Sequence, residues 1–301
     1  GGFGGKESQG NALAIACAVV AAATGRPAKM RYDRDDDMII TGKRHDFRID
    51  YRVGVDSDGV IEGIEFLHYT RCGWAQDLSL PVADRAMLHA DNAYFLPAVR
   101  IESHRLKTNT QSATAFRGFG GPQGVVGVER VMDHIAHVLG RDPLQIRRAN
   151  YYDRSEGGAA PHSDKPSPPG RIFAEKKPRN VTPYGQDVTD FILHEMTDTL
   201  AQSCSYATRR ADVAAWNAAN PVLKRGLALT PVKFGISFTL THLNQAGALV
   251  HVYQDGSIAM NHGGTEMGRP GFPTADHASI DHENRGLRSK GAGEKGLIRT
   301  V

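Results

Sequence analysis

Residues 8–24 read SQGNALAIACAVVAAAT, apolar on almost every side of a helix, and that pattern predicts a buried helix. Gly25 supplies its stop and Pro27 follows two residues later, as helix ends commonly do. From Met30 the period changes to two, so that Arg31-Tyr32, Met38-Ile39-Ile40 and residues 47–53 are expected as strands. The turn Asp56-Ser57-Asp58-Gly59 joins the last of these to residues 60–66 in a hairpin. Helical periodicity returns over residues 122–139, with Val125, Val128, Val131, Met132, Ile135 and Val138 on one face and Gly140 as the stop. A short helix is expected over 143–149, then longer ones over 188–206 and 209–220. A second hairpin turns at Gln254-Asp255-Gly256-Ser257, between residues 248–253 and 258–261. Helices mixed with strands make this an α/β (mixed α+β) chain.

Length and composition add a domain count and remove some functions. At 301 residues, 40% hydrophobic and 23% charged, the chain has ordinary globular composition and room for about two domains. Residues 153–182 shift to Gly, Pro, Ser and Lys, which predicts a linker between one unit at 1–152 and another at 183–301. A net charge of +3 from 36 basic and 33 acidic residues is too balanced for a nucleic-acid grip. The longest apolar run, residues 12–23, is shorter than the ~18 residues of a membrane span. Three scattered cysteines, Cys17, Cys72 and Cys204, form neither a disulfide framework nor a zinc spacing, which favours a reducing, cytoplasmic setting. The chain opens inside a Gly-Gly-Phe-Gly-Gly run without an initiator Met and ends without a capping signal, so it is expected to be a piece of a longer polypeptide.

Glycine clusters mark the candidate chemistry. Residues 1–7 (GGFGGKE) stand directly before the first helix, and residues 114–124 (TAFRGFGGPQG) before the long amphipathic one. Glycine lets main chain approach a ligand closely, and a helix entrance offers N–H groups to an anion. A third cluster, HGGTEMG at 262–268, follows a strand end, and KGAGE at 290–294 holds one carboxylate on a flexible loop. Taken singly each also fits a plain turn, and Asp33, Asp35, Asp36 and Asp37 fit a solvated one.

Taken together, the clusters and their flanks resemble the molybdenum-binding large subunit of the molybdenum hydroxylases, the xanthine dehydrogenase and aldehyde oxidase family. The resemblance rests on GGFGGKESQG, DRDDDMIITGKRH, RAMLHADNAYFLP, LKTNTQSATAFRGFGGPQG, TPVKFGISFTLTHLNQAGALVHVYQDGS and NHGGTEMG, in that order from Gly1 to about Gly268. It implies a molybdopterin-binding fold of the xanthine dehydrogenase and aldehyde oxidase type. Glu7 and Arg85 point to the xanthine dehydrogenase branch, where such residues hold the purine, and Phe119 would stack on its ring. Gly2, Phe3, Gly4, Arg117, Gly264 and Gly268 would line the molybdopterin, with Phe3 and Arg117 near the molybdenum through main chain rather than as ligands. Glu294 in KGAGE resembles the family's catalytic base.

The resemblance implies hydroxylation of hypoxanthine or xanthine, in purine catabolism, with water as the oxygen source. A carboxylate takes the proton, a fixed cation meets charge developing on the ring, and a stacked aromatic adds about 0.5–1.5 kcal/mol beyond buried area. Iron–sulfur clusters and FAD are expected on other domains or subunits of an oligomeric enzyme, since no cysteine set here could ligate a cluster. Two departures qualify the match: Arg269-Pro270 stands where the family has Gln-Gly, and only about 20 residues separate Gly268 from Lys290. They leave a catalytically inactive remnant as the alternative for the chain alone, beside an aldehyde oxidase-type hydroxylase.

Overall fold

A computed structural model describes residues 4–5, 7–153, 179–189, 191–235, 248–262 and 298–300. The expected hairpin is β1 (Phe47–Val55) against β2 (Ile61–Gly73), antiparallel, with Tyr51 opposite Phe66 and Val53 opposite Ile64. Its turn closes through the Asp56 carboxylate, which accepts the Asp58 and Val60 N–H groups at 2.9 Å each. Gly59 is required there: its φ is +79°, and a Cβ would lie 2.6 Å from the Ile146 side chain. A third strand, β3 (Val99–Lys107), pairs parallel to β2, so the sheet order is β1-β2-β3. Parallel pairing needs a crossover, and α3 (Ser79–Leu88) lies within it. The period-two reading did not single out this β–α–β unit.

The long amphipathic helix, α4 (Gly121–Leu139), covers the sheet. Val128, Val131, Met132 and Ile135 are buried against Ile64, Phe66, Tyr94 and Tyr151. Val138, expected on that face, is exposed, because the apolar stripe drifts around the helix and Leu139 packs on the core instead. Glycines let α4 approach closely: a Cβ on Gly124 would overlap the Ala86 carbonyl of α3, and one on Gly127 would lie 2.8 Å from Ile49. α5 (Pro143–Ala149) is capped by the Asp142 carboxylate accepting the Leu144 N–H. Its Arg147 is buried and bonds Glu129 at 2.7 Å and Asp133 at 2.8 Å, both on α4.

Two other expectations are corrected. Residues 34–40 form a helix, α2 (Arg34–Ile40), where a strand and a solvated turn were expected. Asp33 caps it by accepting the Asp36 N–H, and Asp35, Asp36 and Asp37 sit at the positive end of its dipole. The first helix, α1 (Gly10–Thr24), forms as expected, but none of its residues is buried. Ile15 and Val19 are 63% and 62% exposed, since no described segment lies over them.

Beyond residue 178 the chain returns to the same core. Phe191 packs edge-on against Tyr151 and Tyr152, ahead of α6 (Leu193–Ser203) and α7 (Tyr206–Ala219). β4 (Ala248–Val252) and β5 (Ile258–His262) form the second hairpin, with β6 (Ile298–Thr300) parallel to β5. Among the described residues no helix is long and apolar enough to cross a membrane.

Candidate functional site

The first two glycine clusters, more than a hundred residues apart, meet in space. Gly4 has φ +101°, and a Cβ there would lie 2.6 Å from the Ala115 carbonyl, so only glycine lets the loop lie along this backbone. Ser8 reaches Thr114 at 3.4 Å, and the Gln9 amide bridges the Gly42 N–H at 2.7 Å to the Asp77 carboxylate at 3.2 Å. Glu7 lies in this loop and is exposed.

The second cluster is held in unusual backbone. Gly118, Phe119 and Gly120 all have positive φ, at +93°, +50° and +91°. For Phe119 that is a strained conformation, stabilised by its N–H donating to the Phe116 carbonyl at 2.7 Å. A Cβ on Gly120 would overlap the Val82 carbonyl of α3, which fixes the Phe119 loop against the helix that carries Arg85. The Arg85 side chain is buried, bonds the Gly235 carbonyl, and lies 4.8 Å over the Phe234 ring. Phe234 in turn abuts Gly121. The segments bearing Glu7, Arg117, Phe119 and Arg85 are therefore contiguous.

A cation that no local sequence pattern marks sits at the join. Arg44 donates to the Arg117 carbonyl at 2.6 Å and lies 4.5 Å over the Phe116 ring. Its Nη1 is buried with no partner among the described residues. A glycine-only cradle beside an unsatisfied cationic donor suits an anionic, sulfur- and phosphate-bearing cofactor such as molybdopterin. Arg44 stood in the TGKRH string as one more polar residue, and its burial is a property of the fold that no local pattern carries.

Two buried histidines, His45 and His68, are neutral. His45 Nε2 lies 2.8 Å from Ser79 Oγ, and burial pulls the imidazole down to about 4. Burial also takes His68 to about 4 between Phe47 and Phe66, with neither ring nitrogen hydrogen-bonded among the described residues. Neither described cavity is lined by the candidate residues. An open one of about 550 Å³ lies by Asp46, Arg48, Tyr69 and Arg71, and one of about 160 Å³ by Met87, Asp91, Leu96 and Tyr184. Gly2, Phe3, Gly264, Gly268 and Glu294 lie outside the described residues.

Comparison with known proteins assigns the class. A family model described as molybdopterin cofactor-binding domain matches residues 1–151, and a second of the same description matches 199–271. The chain is 41% identical over 269 residues to a xanthine dehydrogenase of Drosophila subobscura and 42% identical over 269 residues to a xanthine dehydrogenase/oxidase of Mus musculus. Each alignment covers 89% of this chain and 18% of the relative, so the chain spans under a fifth of the length of these relatives. The chain belongs to the molybdopterin cofactor-binding domain family, and it is similar to the corresponding part of xanthine dehydrogenases, which are molybdenum hydroxylases.

The fold recurs in quinoline 2-oxidoreductase from Pseudomonas putida 86, with a TM-score of 0.63 and 21% identity over 89% of this chain and 32% of that one. It also recurs in the CO dehydrogenase of Oligotropha carboxidovorans, with a TM-score of 0.63 and 16% identity over the same shares. Glu294 lies beyond the last matched residue, 271.

Proposed function

We propose that this chain forms the substrate-facing part of a molybdenum hydroxylase that converts hypoxanthine and xanthine to urate, with water as the oxygen source. The observation that carries this reading is the meeting of the Gly4 loop, the Phe119 loop and the Arg85 helix in one region. When bound, the molybdenum–pterin group would supply the two-electron chemistry. Around it, Gly2, Phe3, Gly4, Arg117, Gly264 and Gly268 would give close main-chain approach, and Arg44 a charge-assisted hydrogen bond. Phe119 would stack on the purine, and Glu7 would fix which ring edge faces the centre. The Arg85 guanidinium, already desolvated, would meet negative charge as it builds on the ring, where a fixed cation acts most strongly. Glu294 would take the proton in hydrogen-bond reach of the reacting water, an assignment that rests on the KGAGE string.

Units at 1–152 and 183–301 joined by 153–182, electron transfer to iron–sulfur clusters and FAD on other domains or subunits, and cytoplasmic purine catabolism complete the proposal. Its test is to produce the whole protein containing this chain and measure molybdenum, pterin and urate formation. Stoichiometric metal and urate are expected, with Arg85→Gln lowering purine turnover by roughly 10²–10³-fold. Turnover of an aldehyde with none of a purine would move the assignment to the aldehyde oxidase type. A protein without molybdenum or turnover would be a catalytically inactive remnant.

A further inference from the structure

The end of α3 grips one segment of the distant second half. Arg85, His89, Asp91 and Asn92 all contact residues 231–235, about 140 positions away. Asn92 is fully buried with φ +42°, a left-handed conformation that Asn tolerates better than most residues. Its side-chain amide reads backbone in both directions: Oδ1 accepts the Lys233 N–H at 3.0 Å, and Nδ2 donates to the Pro231 carbonyl at 2.9 Å.

Next to it, Asp91 is 2% exposed and accepts from the Tyr152 hydroxyl at 2.7 Å and the Lys233 ammonium at 3.0 Å. Burial alone would lower the Lys233 pKa, and Asp91 together with Tyr184 more than offsets it; burial also pushes the Asp91 carboxyl up, against the pull of Lys233 and the Tyr152 hydroxyl. His89 completes the grip. Its Nε2 accepts the Gly235 N–H at 3.4 Å, which requires the Nδ1–H tautomer donating to the Arg85 carbonyl at 3.0 Å. Burial holds His89 below its ordinary pKa, in the neutral form this arrangement needs.

The held segment delivers two groups to Arg85: the Gly235 carbonyl, which accepts from its guanidinium, and the Phe234 ring beneath it. The same ring packs against Gly121, two residues beyond Phe119, so it has little room to shift. We infer that His89, Asp91 and Asn92 are positioning residues that fix residues 231–235, and thereby the direction in which the Arg85 guanidinium points. A purine held by that cation then depends on contacts made in another part of the chain. The inference rests on the reading of Arg85 as the substrate's cation.

The test uses the whole hydroxylase with Asn92→Gly, which deletes the amide yet keeps a residue at ease with positive φ. Phe234→Leu is the second variant should the first not fold. Cofactor content, amide hydrogen exchange at residues 231–235, affinity of the cofactor-free protein for a purine analogue, and kinetics on a purine and on an aldehyde are measured. A displaced guanidinium is expected to lower purine kcat/KM about 10- to 100-fold and to weaken analogue binding. Exchange at the Lys233 and Gly235 amides should quicken, while cofactor content and aldehyde KM stay unmoved. Purine and aldehyde kinetics falling together would reduce the clamp to a structural pin and overturn the inference, as would faster exchange with unchanged purine binding. Arg85→Gln separates the two readings: wild-type purine turnover in that variant overturns the substrate assignment and the clamp's purpose together. An impaired Arg85→Gln beside a wild-type Asn92→Gly overturns the clamp alone.

Discussion

Two helices, α1 and α4, follow glycine loops that touch one another, and both are rich in apolar residues, yet they fold into opposite circumstances. α4 carries one apolar face and buries it, with Val128, Val131, Met132 and Ile135 facing the sheet and Glu129 closing on Arg147 behind them. α1 is apolar on every side and buries nothing among the described residues. The difference lies in what each pattern specifies. A one-sided stripe names a direction, and a single partner, here the β-sheet, can satisfy it. An all-round pattern calls for partners on several sides, and none of the described segments supplies even one.

The sharpest way to probe this contrast is to damage the α4 side. Glu129 accepts from the Arg147 guanidinium, the Tyr94 hydroxyl and the Asn92 amide, and Arg147 is 1% exposed at its side chain. Glu129→Ala leaves that cation buried with only Asp133 beside it, and a loss of about 3–5 kcal/mol is expected. The measurement is the denaturant midpoint at constant m-value. A loss below ~1 kcal/mol would mean that water reaches the network and that α4 is less sealed than its burial implies.

Acid attacks the same side by another route. His45 and His68 are buried and neutral, each pulled by desolvation from the ordinary imidazole value of 6.5 down to about 4. With folded values lowered, the unfolded chain binds protons more readily. Stability from both groups is therefore fully present above about pH 6.5 and is lost as pH falls towards 4. On the order of 3 kcal/mol per histidine is at stake over that window. Thermal midpoints recorded across it should fall, and His68→Leu should flatten the slope by roughly half. An unchanged slope in that variant would place the acid sensitivity elsewhere.

How much of this was legible in the sequence follows from the range of each signal. The β1–β2 hairpin, α4, α5 and the β4–β5 hairpin were readable because turn chemistry and periodicity are local. Residues 33–40 misled, since Met38-Ile39-Ile40 suggests a strand while the Asp33 cap that makes a helix acts through one backbone bond. β3 is hard to read locally because half-buried polar residues such as His104 and Arg105 blur its period. For the site, Gly4, Glu7, Arg85, Arg117 and Phe119 were found through strings resembling a family. Arg44, His89, Asn92 and Lys233 lie inside the same strings, but no local pattern marks them, because their roles depend on contacts 70 to 150 positions away.

The smallest expected effect tests the other half of the contrast. In the 301-residue chain, Ile15→Ala should change stability by no more than about 0.5 kcal/mol, as for a surface position, because the side chain is 63% exposed. Met132→Ala on α4 serves as the buried control, at about 2–5 kcal/mol. Repeating both in the whole protein asks whether α1 gains a covering surface there. If it does, Ile15→Ala should rise towards the cost of Met132→Ala, and the all-round apolar pattern would then describe the assembled molecule. If Ile15→Ala stays near zero in both settings, the face is solvated in the finished protein as well. The apolar run would in that case reflect helix propensity, which Ala favours most, more than packing.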